Sequence, residues 1–194
     1  TGEEILKNID RNMYVDQAFR VATMIVHGRT GTRTITSQAW IKGYDKAFVE
    51  YLSPPREKGK KMLKLEDKIW TYTPEPTDRI ITISGHLLRQ SVMGSDLSYE
   101  DMTENDKLWE LYDAVIEGEE EVEGRHCYVL SLTAKEKGVT YHFRKMWVDS
   151  ERWLPLKEEW YAKSKKLLKT FAVLDVFQSD NRWYPKKMLF KDVL

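Results

Sequence analysis

The side chains that could perform chemistry are few and widely spaced in this sequence. The four histidines are His27, His86, His126 and His142, and none of them forms an HExxH motif or another pair at metal-ligand spacing. His126 and Cys127 are neighbours in a run typical of a strand, where adjacent side chains point to opposite faces, so they cannot easily share a metal ion. The sequence therefore predicts no metal site.

Motifs of covalent catalysis and phosphate binding are missing as well. The sequence contains no GxSxG nucleophile elbow, and the run Gly28-Arg29-Thr30-Gly31 is too short for a phosphate-binding loop. Acidic runs such as Glu119-Glu120-Glu121 are typical of solvated strand edges. The sequence does not exclude a glycosidase-like pair of catalytic carboxylates, because the fold sets the distance between them. We predict a protein that is not an enzyme and that needs no cofactor.

The composition argues against several further classes of protein. The 31 basic residues balance the 31 acidic residues, so the chain lacks the basic excess typical of nucleic-acid-binding proteins. No apolar run approaches the roughly 18 residues of a membrane-spanning helix. Cys127 is the only cysteine, so no internal disulfide can form. At 194 residues the chain has the length of one domain, and we expect residues 1–194 to form one.

Apolar periodicity predicts a mainly β fold with a few helices. Residues 3–13 have the period of an amphipathic helix, with Ile5 and Ile9 on one face. Beyond this helix the period is two, and Gln17–His27 and Thr32–Ile41 flank a glycine-containing turn, as in a hairpin. Strands joined by such short turns must be antiparallel. The sequence therefore predicts a curved antiparallel sheet of about ten strands, shaped as a partial barrel.

The middle of the chain departs from this pattern. Three short strand-like runs, Lys61–Leu65, Ile69–Thr73 and Arg79–Ile83, are followed by the amphipathic stretch Ser84–Met93. A helix over that stretch would carry on one face Leu87, Leu88 and Val92. A short apolar helix that follows a sheet can cover it, so we predict a movable lid over residues of about 84–111.

The string that follows this stretch has the spacing of a structural motif. Gly94 suits a helix C-cap, and Ser98 with Asp101 resembles a capping box in which Asp replaces the usual Glu. Leu97 and Met102 have the spacing of a hydrophobic staple. We therefore interpret the following residues as a rigid helix start rather than as catalytic groups: Gly94, Ser95, Asp96, Ser98, Tyr99 and Asp101.

Several strands are apolar on both of their alternating faces. One face of Gln17–His27 carries Ala18, Ala22, Met24 and Val26, and the other carries Phe19, Val21 and Ile25. A sheet that is apolar on both faces must be covered on both, or it must line a cavity on one. Because only two or three short helices are available as cover, the sequence favours a hydrophobic cavity between the sheet and the lid.

Three groups of residues form a recognisable pattern: Leu52-Ser53-Pro54 with Gly59 and Leu63, Trp70-x-Tyr72-x-Pro74 with Arg79, and, most specifically, Met93-Gly94-Ser95-Asp96-Leu97-Ser98-Tyr99-Glu100-Asp101. At these residues the chain resembles the LolA-like family of outer-membrane lipoprotein-sorting proteins. It extends from about Glu3 to the end of the chain. It implies a half-open antiparallel barrel covered on its concave face by short helices. It also implies a periplasmic location, with a signal peptide removed before Thr1, and a hydrophobic cavity for acyl chains.

The resemblance and the predicted lid lead to a functional hypothesis. We expect a periplasmic carrier that shields the acyl chains of a lipid or lipoprotein during transfer toward the outer membrane. Its further partners would be a membrane transporter or an outer-membrane acceptor. Arg79 is the predicted polar latch or head-group contact. The predicted cavity residues are Met24, Val26, Val49, Tyr51, Leu63, Trp70, Tyr72, Leu87, Leu88, Val92, Met93 and Leu97.

Two alternatives stay open at this stage. A periplasmic sensor of the same fold would bind a lipid or a protein partner in envelope signalling. A weaker alternative is an esterase, which would hydrolyse the acyl compounds that the cavity admits.

Overall fold

The computed structural model describes residues 1–103 and 107–194, and the chain divides into two compact units. One unit comprises Thr1–Met13 together with the described residues from 107 to the end, and the other comprises Tyr14–Thr103. The single domain over 1–194, with its lid of about 84–111, stays a prediction. Residues 104–106 of that lid lie outside the described residues.

The described chain is mainly β, as predicted. In chain order its helices and strands are α1 (Gly2–Met13), β1 (Gln17–Gly28), β2 (Gly31–Lys42), β3 (Lys46–Ser53), β4 (Lys61–Leu65), β5 (Lys68–Thr73), β6 (Arg79–Ile83), α2 (Leu108–Leu111), β7 (Tyr112–Val122), β8 (Arg125–Ala134), β9 (Phe143–Asp149), β10 (Pro155–Tyr161), β11 (Leu167–Ser179) and β12 (Arg182–Asp192). Three short 3-10 helices lie between β6 and the end of the Tyr14–Thr103 unit.

The strands form two six-stranded antiparallel sheets in which neighbours in sequence are neighbours in space. One sheet contains β1 to β6 and the other contains β7 to β12. The predicted hairpin is confirmed, because Gly28 pairs with Gly31 across the β1–β2 turn. The predicted single sheet of about ten strands is wrong: twelve strands are present within the described residues, and because β6 does not pair with β7 they form two sheets.

Helix α1 packs on the sheet of its own unit. Ile5, Leu6 and Ile9 are buried in one cluster with Leu130 and Met146 of that sheet, which confirms the predicted amphipathic face. The first turn lies so close to β7 that a Cβ on Gly2 would be 2.3 Å from the carbonyl oxygen of Ala114, so this position requires glycine.

The far end of α1 is fixed by a reciprocal pair of hydrogen bonds. The side-chain amide of Asn12 donates to the carbonyl oxygen of Trp183 at 2.7 Å, and its Oδ1 accepts from the Trp183 backbone N–H at 3.0 Å. Because both groups are at least partly buried, these bonds satisfy polar atoms that would otherwise destabilise the fold. They join the end of the helix to β12.

The same unit contains a buried arginine among aromatic rings. The guanidinium carbon of Arg144 lies 4.8 Å from the ring centroid of Trp160, 5.1 Å from that of Tyr112 and 5.4 Å from that of Tyr141. Glu158 is 3.8 Å from Arg144 and accepts a hydrogen bond from the indole N–H of Trp160 at 2.7 Å. Burial nevertheless raises the pKa of Glu158. These contacts account for Arg144 as a core residue.

Candidate functional site

The last part of the Tyr14–Thr103 unit lies against one face of its sheet. We call residues 84–103 the cover segment, and the sheet face that it contacts the covered face. The covered face is formed by buried and half-buried apolar side chains: Met24, Val26, Ile35, Val49, Tyr51, Met62, Ile69 and Ile83. Against them pack five side chains of the cover segment: Leu87, Leu88, Met93, Tyr99 and Met102.

The cover segment is built from three single 3-10 turns, Gly85–Arg89, Val92–Gly94 and Glu100–Met102. The continuous helix predicted over Ser84–Met93 is therefore wrong. The physical reason is the backbone, since Gln90 is extended and Met93 has a φ of 54°, in the left-handed region. Gly94 follows with a φ of 70°, as its predicted role at a helix end requires.

The predicted capping box is present between Ser98 and Asp101. The backbone N–H of Ser98 donates to Oδ2 of Asp101 at 2.7 Å, and the backbone N–H of Asp101 donates to Oγ of Ser98 at 3.3 Å. Both residues are buried. Ser95 has a similar local role, because its hydroxyl donates to the carbonyl oxygen of Val92 at 2.6 Å. These polar groups fix the course of the cover segment, whereas Asp96 is exposed.

Seven of the predicted cavity residues belong to this contact between the sheet and the cover segment. They are Met24, Val26, Val49, Tyr51, Leu87, Leu88 and Met93. Val92 is also buried, and its backbone N–H donates to the carbonyl oxygen of Leu97 at 2.7 Å. Leu97 is half-buried. Neither Val92 nor Leu97 belongs to the two apolar clusters of the covered face.

Three predicted cavity residues lie on the opposite face of the sheet. Leu63 pairs with Trp70 across β4 and β5, one position away from the buried residues Met62 and Ile69, and Tyr72 follows Trp70 at the same parity. Since alternate residues of a strand point to opposite faces, Leu63, Trp70 and Tyr72 cannot line a space under the cover segment.

The opposite face carries an exposed aromatic row. The Phe19 ring is 5.3 Å from that of Trp40, which is 5.9 Å from that of Phe48. Phe19 is 56% exposed and Trp40 is 44% exposed. A depression of about 530 Å³ in the same region is lined by Gln17, Ala18, Phe19, Trp40, Ile41, Lys42, Lys46, Ala47, Phe48 and Leu63.

Sequence reasoning missed six residues of the covered contact: Ile35, Met62, Ile69, Ile83, Tyr99 and Met102. Four of them are strand residues, and the pairing register of β3 with β4, in which Val49 is opposite Met62, is the signal that would identify them. In β5 the predicted cavity residues are Trp70 and Tyr72, but the smaller Ile69 is the side chain that is fully buried.

Arg33 is a basic residue of the sheet that contacts the cover segment. Its Nη2 donates to the carbonyl oxygen of Met93 at 2.8 Å. A Cβ on Gly94 would lie 2.5 Å from the same Nη2, so the close approach of the guanidinium also depends on glycine at this position. Arg79, the predicted latch, is exposed at the first position of β6, opposite Thr73. No hydrogen bond or ion pair of Arg79 occurs among the described residues, and its role stays a prediction.

Tyr51 is a buried side chain of the covered face with a polar group. Its side chain is only 6% exposed and packs with Val26 and Ile35. Burial raises the pKa of Tyr51 to about 12, with smaller contributions from Tyr99 and Glu57. Its hydroxyl is therefore protonated at neutral pH and can donate a hydrogen bond.

Two further properties concern metals and membranes. Within 1–103 and 107–194, no three or more His, Cys, Asp or Glu side chains are grouped so that they could hold a metal ion. In the same residues, no helix has the length and apolar character needed to cross a bilayer.

Comparison with solved structures identifies the fold. The chain is similar to a DUF1329 family protein from Desulfovibrio piger ATCC 29098, with 24% identity, a TM-score of 0.90, and coverage of 98% of this chain and 85% of that one. It is also similar to a domain from Vibrio parahaemolyticus proposed to be an outer membrane lipoprotein-sorting protein, with 24% identity, a TM-score of 0.84 and coverage of 99% and 85%. A LolA superfamily protein from Nitrosomonas europaea gives 24% identity, a TM-score of 0.77 and coverage of 100% and 86%.

These likenesses define a LolA-like fold, which confirms the resemblance found in the sequence. A family model described as "Uncharacterized protein" matches residues 43–194, and the chain belongs to that family. A comparison with curated proteins finds no match. At identities below 25% the solved structures establish the fold and not the function.

Proposed function

We propose that this protein is a periplasmic carrier that holds an acyl chain of a lipid or lipoprotein between the covered face and the cover segment. The observation that carries the proposal is the apolar contact between a sheet face and a segment with little regular structure of its own. Met62 and Ile69 are 1% and 0% exposed beneath that segment. An acyl chain that replaced the cover segment on this face would contact a surface formed by apolar side chains.

The transfer energy is large enough for such binding. Each methylene removed from water contributes about 0.8 kcal/mol, so ten buried methylenes contribute about 8 kcal/mol before ordering costs are subtracted. Part of this gain is offset, because the chain must displace Leu87 and Leu88, which already cover the sheet. That offset suits a carrier, since cargo that is bound less tightly can be released.

The cover segment has the features of a movable element. Its three 3-10 turns have weaker hydrogen-bond geometry than an α-helix. Arg33 of the sheet donates a hydrogen bond to the carbonyl oxygen of Met93 in the middle of this segment. We infer that the structure represents the closed state and that loss of this bond precedes opening.

The location and partners follow from the same hypothesis. The likeness to a domain proposed to be an outer membrane lipoprotein-sorting protein supports a place in the bacterial envelope. A carrier there would receive its cargo from a membrane transporter and deliver it to an outer-membrane acceptor.

The proposal is tested by native mass spectrometry on gently purified protein. We expect adducts with the masses of lipids, and their loss in Leu88→Glu, because the charge would be placed in the apolar contact. Leu189→Glu is the matched control, since Leu189 is 49% exposed on β12. Adducts that survive in Leu88→Glu, or a wild-type protein that stays empty after incubation with phospholipid and lipopeptide, would contradict carriage. Binding of a regulator peptide by such an empty protein would favour the sensor instead.

A further inference from the structure

The Tyr51 hydroxyl is a buried polar group of the covered face that contributes no hydrogen bond to the fold of the described residues. No hydrogen-bond partner of this hydroxyl occurs in the described parts of the chain, although the backbone of Tyr51 is fully bonded. Its N–H donates to the carbonyl oxygen of Lys60, and its carbonyl oxygen accepts from Gly59, both at 2.9 Å. A buried hydroxyl without a partner destabilises a protein by about 1–3 kcal/mol.

The Tyr51 side chain packs among apolar side chains, where a phenylalanine would pack equally well. Tyr51 contacts Val26 and Ile35, and the half-buried side chains against this cluster are Met24, Val49 and Met93. A tyrosine in such a place is typical of a ligand site in which one polar group orients an otherwise apolar ligand.

The charges near Tyr51 narrow the chemistry of the ligand. Glu57 is buried nearby, and its carboxylate is paired with Lys60 at 2.7 Å and with Arg56 at 4.0 Å. Arg33, the register partner of Val26, donates to the carbonyl oxygen of Met93 instead. A neutral carbonyl oxygen is an acceptor that the Tyr51 hydroxyl can bond without help from a cation.

We propose that Tyr51 donates a hydrogen bond to the carbonyl oxygen of an ester- or amide-linked acyl chain, and so selects acyl lipids over alkyl ethers. This inference rests on the proposed carrier function, because it assigns the polar contact of the same site. The hydrocarbon would lie along the covered face, and the carbonyl would mark where the chain joins its glycerol or its protein. Tyr51 is thus a specificity-determining residue that contacts the cargo.

The test compares two probes that differ only at the linkage. Dioleoylglycerol carries ester carbonyls, and its dioleyl ether analogue lacks them. We expect wild-type protein to bind the ester about five- to tenfold more tightly than the ether, as one buried hydrogen bond predicts. In Tyr51→Phe the ester affinity should fall by that factor and the ether affinity should be unchanged or higher.

The matched control is Tyr72→Phe. Tyr72 lies on the opposite face, and its hydroxyl donates to Asp78 at 3.0 Å, so this variant loses one hydroxyl but should keep the preference for the ester. The melting temperature of ligand-free Tyr51→Phe should equal or exceed that of wild type, because the substitution removes an unbonded hydroxyl from the core.

Four results would overturn the inference. Equal binding of ester and ether by wild type, or an ester preference that Tyr51→Phe retains, would show that Tyr51 does not read the linkage while leaving the carrier function intact. A clear drop in the melting temperature of Tyr51→Phe would show that the hydroxyl already has a structural partner. Absence of binding of either probe would instead remove the carrier function and this inference together.

Discussion

The hydrogen bond from Arg33 to the carbonyl oxygen of Met93 gives a direct test of how the cover segment is held. Substitution Arg33→Gln removes the guanidinium that reaches Met93 at 2.8 Å. A hydrogen bond with a charged donor contributes about 1.5–3 kcal/mol, but Arg33 is exposed, so solvent and salt reduce the value to about 1 kcal/mol. We therefore expect the segment to open about fivefold more often.

Hydrogen exchange measures this opening at individual amides. Within the cover segment the backbone N–H of Val92 bonds to Leu97, that of Tyr99 bonds to Gln90, and that of Ser95 bonds to Val92. These amides should exchange about fivefold faster in Arg33→Gln, because their protection is lost whenever the segment leaves the sheet. Amides of β5, which pair within the sheet, should be unaffected.

Arg29→Gln is the matched control for this experiment. Arg29 is an exposed arginine in the turn between β1 and β2, so its loss changes the net charge equally and removes no contact with the cover segment. Equal exchange at Val92 and Tyr99 in wild type and Arg33→Gln would refute the view that this bond holds the segment closed. Faster exchange in Arg29→Gln as well would assign the effect to charge alone.

Two further predictions concern stability and reactivity. Asp101→Ala removes half of the capping box with Ser98 and should lower the free energy of unfolding, measured by urea titration, by about 1–2 kcal/mol. The control Glu75→Ala, at an exposed site, should change this free energy little. Equal effects of the two substitutions would contradict the structural role of the box. Cys127 is 0% exposed, and burial raises its pKa to about 11. At pH 8 the native protein should therefore react with a thiol reagent far more slowly than the urea-unfolded chain. Fast labelling of the native protein would be inconsistent with this buried environment.

Local signals in the sequence predicted local structure well. The glycines at 28 and 31 gave the β1–β2 hairpin, and the spacing of Ser98 and Asp101 gave the capping box. In each case a few neighbouring residues determine the geometry, because the turn or the cap is made by their own backbone and side chains. The same reasoning failed for Ser84–Met93, where the amphipathic period was correct but the backbone conformations at Gln90 and Met93 interrupt the helix.

Contacts between distant parts of the chain were harder to predict. The β1–β6 sheet is apolar on both faces, so alternation alone could not decide whether Met62 or Leu63 faces the cover segment. The polar contact raised a similar difficulty, since Arg33 and Arg79 are both exposed strand arginines and only the fold brings Arg33 to Met93, 60 residues away. The missing hydrogen-bond partner of the Tyr51 hydroxyl could not be predicted for the same reason, because it depends on every residue packed around that side chain.

The division of the chain into units has a consequence for the order of synthesis. The Tyr14–Thr103 unit, which contains the β1–β6 sheet, is built from one continuous stretch and is complete once residue 103 has left the ribosome. Helix α1 is made before it, yet the strands on which α1 packs begin only at Tyr112. Because translation is slow compared with the formation of local contacts, the apolar side of α1 must remain exposed to water, or be held by a chaperone, until the second half of the chain emerges.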